Sequence, residues 1–262
     1  MDNKYLGRQD APIGAETWKL LDTTMIGAAK SQLAGRKLLS IEGPFGFGLK
    51  MIPLSDCEME EGIIGSTFMP VTMIRSRFSL GRRDLAAFEK DRVTLDLGPV
   101  ACAAIDCAAK EDHVVFNGVS GLSGLMTVEG SGSETLTKWD KVGSAANEII
   151  GAVTKLDDAG FHGPYTMALS PAQYNLLLRR YPQGEGTELD HVRTIVTEGV
   201  VKAPAIKKGG VILASGPQYA SLVLGQDMSV GYTGPTGDDL EFFVLESLAV
   251  LIRAPEAICV LK

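Results

Sequence analysis

The stretch LAGRKLLSIEGPFGFG, residues Leu33 to Gly48, marks where one regular element ends and another begins. Gly35 follows a helical apolar pattern, and we predict that it ends this helix in the left-handed conformation, because glycine has no Cβ to oppose it. Lys37 to Glu42 is predicted to form a short strand. Phe45 and Phe47 then supply apolar anchors in a corner where regular structure is broken by Gly43, Pro44, Gly46 and Gly48.

The glycines of this corner do not match a nucleotide-binding loop. A dinucleotide fingerprint needs a third glycine at the start of a helix, but the segment Gly46 to Met51 ends in methionine and begins no helical pattern. A phosphate-binding loop also lies between a strand and a helix. We therefore interpret the corner as architectural, since its glycines and proline redirect the chain.

The composition predicts a globular protein without a nucleic-acid surface. The chain has 262 residues, of which 45% are hydrophobic and 22% charged, an ordinary balance for a protein with a sizeable core. Its formal net charge is −7, and its runs of lysine and arginine never exceed two neighbours, as in Arg82-Arg83. Because nucleic-acid binding needs a concentrated basic surface, we do not expect the chain to package DNA or RNA.

The four cysteines indicate a reducing, cytoplasmic environment. Cys57, Cys102, Cys107 and Cys259 form no CxxC pair, and we expect buried thiols, because free cysteine behaves as a small hydrophobe. The first 14 residues lack the apolar segment of a secretory signal, and no run of 18 apolar residues is present. No membrane partner is therefore expected.

Residues 15–34 are predicted to form an amphipathic helix. Its apolar residues recur at three- and four-residue steps, at Trp18, Leu21, Met25, Ala28, Ala29 and Leu33. Such a stripe either packs on the core of its own chain or receives a partner peptide in part. Both interpretations remain open at this point.

The segment from Leu49 to Phe78 is predicted to form two long extended arms. The arms meet at Glu61-Gly62, next to an acidic cluster of Asp56, Glu58, Glu60 and Glu61. Arms of this kind bury little within their own fold, so we expect them to lie on a neighbouring subunit. We interpret the acidic cluster as a solvated tip rather than a metal site.

The rest of the chain is predicted to mix helices and strands. Helices are expected over 79–90, 97–117, 139–159 and 171–181, and strands over 165–169, 211–215, 221–224, 242–251 and 257–261. Ser170 and Pro171 are a predicted helix start, because serine is a favoured N-cap and proline a favoured first residue. A glycine-rich loop is expected over 182–187.

No pattern of catalytic or metal-binding residues is evident. His113, His162 and His191 are far apart, and no HExxH or paired CxxC motif is present, which argues against a metal site. The segment GLSGL at 121–125 lacks the GxSxG pattern of a nucleophile elbow. Carboxylate neighbours such as Asp157-Asp158 are not evidence of an acid–base pair, which needs a defined separation in space.

Short motifs in a fixed order extend over nearly the whole chain. They are Ala11-Pro12 with Trp18, Leu33 to Lys37, Glu42 to Phe47, Arg77 to Leu80, Glu111-Asp112 with Phe116 to Gly118, Gly163 to Tyr165, Leu224 to Tyr232 and Leu245 to Ser247. This series resembles the encapsulins, the bacterial and archaeal nanocompartment shell proteins also described as linocin-like bacteriocins. One such motif alone is weak, whereas the ordered series is specific.

The resemblance implies an HK97-type capsid fold of the α+β class. The N-terminal helix and the start of a peripheral domain would cover 1–48, and an extended loop would cover 49–78. The peripheral domain with its long helix would continue over 79–135, and the axial domain would cover 136–224. Residues 225–262 would return to the peripheral domain.

The resemblance also implies a structural function. Encapsulins assemble into closed icosahedral shells around a cargo enzyme that carries a C-terminal targeting peptide. The implied protein is therefore a non-enzymatic cytoplasmic shell subunit, a homo-oligomer of on the order of 60 copies in the smallest (T=1) shell. Its implied cargo is a ferritin-like iron-storage protein or a peroxidase.

Two sites follow from the resemblance. The cargo peptide is expected in an apolar groove on the inner wall, in contact with Trp18, Leu21, Met25, Ile26, Arg36, Leu39, Ile41, Met228, Val230 and Tyr232. The loop 182–191 is expected to line a five-fold pore with Gly184, Glu185, Glu188, Asp190 and His191. A ring of carboxylates there would attract cations, unless the acids point away from the lumen.

Some members of the family hold a flavin near an aromatic residue at the start of the helix that follows RFSL. The corresponding stretch here, Gly81 to Asp84, contains no tryptophan, so no flavin or other cofactor is expected. A phage-type major capsid protein is the alternative function, because it has the same fold. A hydrolase or protease is a more distant alternative, since no catalytic motif is present.

Overall fold

The computed structural model describes residues 4–182, 184 and 186–262. The chain divides into two compact units, each assembled from separate stretches of sequence. The first unit contains Met1–Leu33, Glu42–Glu111 and Val223–Ala249. The second unit contains Ala34–Ile41, Asp112–Leu222 and Val250–Lys262.

The structure contains six helices and twelve strands within the described residues. The helices are α1 (Ala15–Gln32), α2 (Arg82–Asp91), α3 (Gly98–Asn117), α4 (Ser144–Asp158), α5 (Pro171–Leu176) and α6 (Glu188–Ile195). The strands are β1 (Ser40–Glu42), β2 (Met51–Glu60), β3 (Ile63–Pro70), β4 (Thr72–Gly81), β5 (Gly132–Glu134), β6 (Tyr165–Leu169), β7 (Gly199–Lys202), β8 (Gly210–Ala214), β9 (Ala220–Leu224), β10 (Ser229–Thr236), β11 (Asp239–Ile252) and β12 (Ile258–Leu261). Short 3-10 helices cover Lys4–Leu6, Arg8–Asp10, Gly35–Lys37 and Pro255–Ala257.

Strands β4 and β10 and most of β11 lie in the first unit and belong to one five-stranded sheet. Strand β11 pairs antiparallel with both β10 and β4, and the five-stranded sheet has the order β1-β9-β11-β10, with β4 on β11. Along β4, buried side chains alternate with the exposed Arg75 and Arg77. This two-residue period is typical of a strand that is covered on one face.

Aromatic rings join helix α1 to this sheet. The Phe242 ring of β11 stacks on Phe78 with 5.5 Å between centroids, and it meets Trp18 of α1 edge-on at 5.8 Å. Tyr232 of β10 lies 5.3 Å from the same ring. Such contacts add about 0.5–1.5 kcal/mol each beyond the burial of apolar area, so the stripe of α1 is used mainly for packing within its own unit.

Strands β2 and β3 form a separate two-stranded hairpin. Nearly every side chain of the hairpin is exposed, including Met59, Ile64 and Phe68. Gly62 at its tip has φ +76°, a conformation that favours glycine. The two arms and the Glu61-Gly62 tip predicted from the sequence are therefore present in β2 and β3, but the predicted segment ended at Phe78, and its last residues belong to β4, which pairs with β11.

The second unit is built on a mixed sheet with the order β5-β12-β8-β6-β7. Strand β12 is parallel to β5 and antiparallel to β8, whereas β6 is antiparallel to β8 and parallel to β7. Helix α4 packs Ile149 and Leu156 into a cluster with Met167 and Ile212 of the sheet. This cluster is the core of the unit.

Gly35 does not adopt the predicted left-handed cap. It begins the 3-10 helix Gly35–Lys37 instead, and the strand expected from Lys37 is confined to β1. The Asp112 carboxylate accepts hydrogen bonds from the backbone N–H groups of Ala34 (2.9 Å) and Gly35 (2.8 Å). A Cβ at residue 35 would lie 2.9 Å from a methyl carbon of Val115, so close packing rather than φ requires this glycine.

Several other elements differ from the sequence-based prediction. The helix expected over 139–159 begins only at Ser144, because Trp139 has φ +48° and lies outside it. The helix expected over 171–181 ends at Leu176. Helix α6 and the strands β5, β7 and β10 were not predicted.

Two of the four cysteines are buried and two are exposed. Cys107 and Cys259 are buried, but Cys57 and Cys102 are exposed, and all four are free thiols. The expectation of four buried thiols was therefore wrong for two of them. Within the described residues, no helix is long and apolar enough to cross a membrane.

Candidate functional site

One face of the first unit combines α1, the N-terminal segment and β10. The short helices Lys4–Leu6 and Arg8–Asp10 lie along β10, and Leu6 is buried against Phe243 and Leu245. Gly7 between these helices has φ +64°, and a Cβ there would lie 2.7 Å from the carbonyl oxygen of Tyr232. Only glycine allows the N-terminal segment to approach β10 this closely.

An open depression of about 500 Å³ lies between the N-terminal segment and α1. The Arg8 guanidinium lies over the Trp18 ring, 4.2 Å from its centroid, and donates to the Asp22 carboxylate at 2.7 Å. Ile26 also lines the depression and is 46% exposed. Ile26 and the stacked Arg8–Trp18 pair together form a surface that could contact an apolar anchor residue of an extended peptide.

The ten residues predicted to contact a cargo peptide differ in exposure. Leu21, Met25, Leu39 and Val230 are buried in the subunit, so their side chains present no surface in this structure. An apolar stripe at helical spacing first covers the core of its own chain. Trp18, Arg36, Met228 and Tyr232 are partly buried, and Ile26 and Ile41 are a little under half exposed (46% and 47%).

These residues are also divided between the two units. Arg36, Leu39 and Ile41 belong to the second unit, and the other seven belong to the first. Within the first unit, Met228 packs against a buried cluster of Ala29, Leu33 and Ala108 near the end of α1. The first unit therefore offers two separate features along α1. Met228 lies near the C-terminal end of the helix, and the depression lined by Trp18 and Ile26 lies toward its N-terminal end.

The predicted pore loop is partly a helix in the structure. Thr187 and Asp190 form a reciprocal capping box that begins α6, and the two hydrogen bonds from Thr187 lower the pKa of Asp190. The [ST]-x-x-[DE] signature of this cap is present in TELD at 187–190. The sequence thus contained a signal for α6 that the expectation of a loop overlooked.

Glu188 cannot line an aqueous lumen as expected. Its side chain is wholly buried, and one carboxylate oxygen accepts hydrogen bonds from the N–H groups of Gly143 (2.9 Å) and Ala146 (3.1 Å). The other oxygen lies 3.5 Å from Arg179 Nη2. Glu188 therefore stabilises the start of α4, where negative charge is favourable.

Gly184, Asp190 and His191 lie on the surface of the second unit. Gly184 borders an open depression of about 470 Å³ with Tyr181, Pro182 and Gly186. His191 is exposed, and its Nδ1 lies 2.9 Å from the Tyr181 hydroxyl. Asp190 is exposed as well, whereas Glu185 lies outside the described residues.

The residues that the structure describes contain no ready-made metal site. Within that part of the chain, no three His, Cys, Asp or Glu side chains are grouped to hold a metal ion. His162, Asp157 and Tyr165 do meet, but the Tyr165 hydroxyl donates to Asp157 (2.7 Å) and to the Phe161 carbonyl. These bonds tie the end of α4 to β6, a structural role.

A family model described as an encapsulating protein for peroxidase (Linocin_M18) matches residues 1–249. The chain belongs to the encapsulin family. As a member of this family it is a nanocompartment shell subunit, and the resemblance inferred from the sequence motifs is confirmed.

One encapsulin shell protein and one solved virus-like particle show how similar the chain is to other proteins of this kind. The chain is 31% identical to the type 1 encapsulin shell protein EncA of Myxococcus xanthus over 276 residues, which cover 98% of this chain and 96% of that protein. A virus-like particle from Pyrococcus furiosus matches with a TM-score of 0.78 at 23% identity, over 95% of this chain and 100% of that one.

The fold extends beyond encapsulins to phage capsids. The capsid of Myoviridae phage XM1 matches with a TM-score of 0.58 at 11% identity, over 85% of this chain and 88% of that chain. The HK97-type capsid fold and the α+β class expected from the sequence are therefore confirmed.

Proposed function

We propose that this encapsulin subunit assembles into a closed, homo-oligomeric icosahedral shell of on the order of 60 copies, which holds a cargo protein in the cytoplasm and has no catalytic activity of its own. The observation that carries this proposal is the β2–β3 hairpin. Among the residues that the structure describes, its strands pair only with each other, and apolar side chains are exposed along both strands. A hairpin of this kind is marginal alone in water, which supports a partner in a neighbouring subunit.

Particle size tests the assembly. The purified protein should elute as one large species in size-exclusion chromatography, and mass photometry should give on the order of 60 subunit masses. A monomer or small open oligomer under the same conditions would contradict the proposed shell.

The domain assignment is part of the same proposal. The second unit, with its mixed sheet and α6, is proposed as the axial domain, and the first as the peripheral domain that carries the extended loop. Gly184, Asp190 and His191 remain the proposed pore residues, together with Glu185. Glu188 is omitted because its carboxylate is buried.

The cargo peptide is proposed to dock on the first unit at the depression beside α1. Trp18 and Ile26 would contact the peptide directly, and Met228 and Tyr232 would support or extend this surface. Leu21, Met25 and Val230 are buried, so they would support the docking surface from within the unit without contacting the peptide. Arg36, Leu39 and Ile41 of the second unit remain residues predicted from the sequence.

Substitution of Ile26 tests this site without disturbing the core. Ile26→Asp should leave shells intact but reduce co-purified cargo at least about tenfold, because it places a charge where an apolar anchor binds. Ile150→Asp is the matched control, since Ile150 is an equally exposed isoleucine on α4. Unchanged cargo in Ile26→Asp shells would place the docking site elsewhere.

The cargo itself is proposed to be a peroxidase, in line with the description of the matching family model. A ferritin-like iron-storage protein is the alternative, since the resemblance implied either of these two cargo classes. Shells purified from the native host and analysed by mass spectrometry would distinguish these two cargo classes. A phage-type capsid remains the second candidate for the chain itself, and the nucleic-acid content of the particle tests it.

A further inference from the structure

The Arg8 side chain lies over the aromatic ring of the depression beside α1. Its guanidinium carbon is 4.2 Å from the centroid of the Trp18 ring, a separation at which no other side chain fits between them. The same ring meets Phe242 of the sheet edge-on at 5.8 Å. Trp18 is therefore only partly exposed, although it lines an open depression.

The backbone on either side of Arg8 is fixed in place. Leu6 is buried, and Gly7 lies so close to β10 that a Cβ would meet the carbonyl oxygen of Tyr232 at 2.7 Å. The 3-10 helix Arg8–Asp10 follows directly. The N-terminal segment therefore stays on β10 whichever rotamer the Arg8 side chain adopts.

The Arg8 side chain, by contrast, has few contacts. Among the described residues, the Asp22 carboxylate is its one polar partner, at 2.7 Å from Nη2, whereas a guanidinium has five N–H donors. The two side chains are 26% and 32% exposed, and ion pairs at such positions are weak because water screens them. Cation–π contacts are likewise weakest where water has access. The Arg8 head can therefore leave the ring at small cost.

The charges around the depression also favour this movement. Lys4 and Lys19 line it together with Arg8, and Asp22 is the one carboxylate among the described residues of the lining. Three cations thus face a single carboxylate. Because like charges repel, the Arg8 head gains from moving outward into water.

Direct contact between the Trp18 ring and a peptide anchor requires the space that the Arg8 head fills. We propose that Arg8 is an intramolecular cover of the docking depression, and that its side chain swings off Trp18 when a peptide anchor binds. The inference rests on the proposed docking site and adds its regulation. Docking has to break the contacts of Arg8 with Trp18 and Asp22, so the cover lowers the apparent affinity for the peptide.

Quenching of tryptophan fluorescence by acrylamide tests whether Arg8 shields the ring. The chain has two tryptophans, and Trp139 is 1% exposed, so the quenchable signal comes from Trp18. Arg8→Ala and Asp22→Asn shells should be quenched about twofold more strongly than wild type, because an arginine side chain covers much apolar surface. Arg92→Ala is the matched control. It removes an arginine that pairs with Glu16 of the same helix at 2.6 Å but does not line the depression.

Cargo loading tests whether the cover opposes docking. Shells are co-expressed with a limiting amount of their native cargo, and the ratio of cargo to shell subunit is measured on denaturing gels. Arg8→Ala and Asp22→Asn should raise this ratio about threefold or more, because both weaken the contacts that docking has to break. Arg92→Ala should load like wild type. Asp22→Asn keeps the arginine in place, so it provides the test even where Arg8→Ala shells assemble poorly.

The outcomes separate the cover from the docking site. Weaker loading of Arg8→Ala shells would show that Arg8 holds the peptide instead of opposing it, and would overturn the cover. Unchanged quenching or unchanged loading in both variants, with cargo still lost from Ile26→Asp shells, would overturn the cover and leave the docking site standing. Increased loading of Arg92→Ala shells would assign the effect to charge near α1 and also overturn the cover. Full cargo in Ile26→Asp shells would overturn the docking site and the cover that rests on it.

Discussion

At the residue scale, the turn after α1 depends on a contact between Gly35 and Val115. A Cβ at residue 35 would meet a Val115 methyl carbon at 2.9 Å in a buried position. We expect Gly35→Ala to lower the free energy of unfolding by about 1–3 kcal/mol, as overpacking does. Gly27→Ala is the control, because no atom lies within 4 Å of its new Cβ and alanine is favoured inside a helix. Urea unfolding measures both, and equal midpoints would contradict the proposed clash.

Glu188 provides a second test at this scale. Glu188→Ala would leave two backbone N–H groups and Arg179 without their carboxylate partner. We expect a loss of about 3 kcal/mol or more, since breaking a buried charge interaction is expensive. Asp190→Ala removes only an exposed cap of α6 and should cost about 1 kcal/mol. Similar losses in the two variants would show that the buried carboxylate has no special structural role.

Cys259 makes stability depend on pH in the alkaline range. Burial raises the pKa of its thiol from 9.0 to about 11, so the folded state keeps a proton that the unfolded state loses. This contribution to the free energy of unfolding is complete below about pH 9, and about 3 kcal/mol of it is lost as the pH rises through 11. Cys259→Ala should therefore show a shallower fall in unfolding free energy between pH 9 and 11. Parallel curves for wild type and variant would exclude this thiol as the source.

At the scale of elements, the β2–β3 hairpin differs from every other pair of strands in the described structure, because it buries almost nothing. We expect that joining Ile52 to Met69 through an Asn-Gly turn leaves the unfolding midpoint nearly unchanged, since few buried contacts are removed. Shell formation should be lost, as measured by mass photometry. Shells of normal size from this variant would show that the hairpin is dispensable for assembly.

Helix α1 shows why a hydrophobic stripe is not yet a binding site. Its stripe was open to two interpretations, and in the structure Trp18 packs on Phe242 while Leu21, Met25 and Ala29 are buried. The exposed Ile26 lies off that stripe, where the depression begins. The residues available to a partner are therefore those that the core does not use.

At the scale of the whole molecule, the net charge of −7 determines what kind of contents we expect inside the assembled shell. A shell of such subunits offers no concentrated basic surface to neutralise phosphates. We expect nuclease-treated particles to contain protein cargo and no protected DNA or RNA, as judged by phenol extraction and gel staining. Recovery of long, protected DNA would favour the phage-type alternative.

The sequence by itself determined the family, the fold class and the hairpin. Ordered motifs, a two-residue alternation on β4 and the Gly62 tip are local signals, so they can be read without knowing distant contacts. The sequence also contained the capping signature of α6, although it was overlooked. The role of Gly35 could not be found in this way, because Val115 lies 80 residues away in the chain.

Only the tertiary structure decided which candidate residues reach a surface. Leu21 and Ile26 are both apolar residues of one helix, yet Leu21 is buried and Ile26 borders an open depression. Glu188 and Asp190 are two acids of one turn, yet one is enclosed by α4 and the other is exposed. The exposure of a side chain depends on neighbours that are distant in sequence. The spacing of residues along the chain could therefore identify these residues as candidates, but it could not show which of them reach a surface.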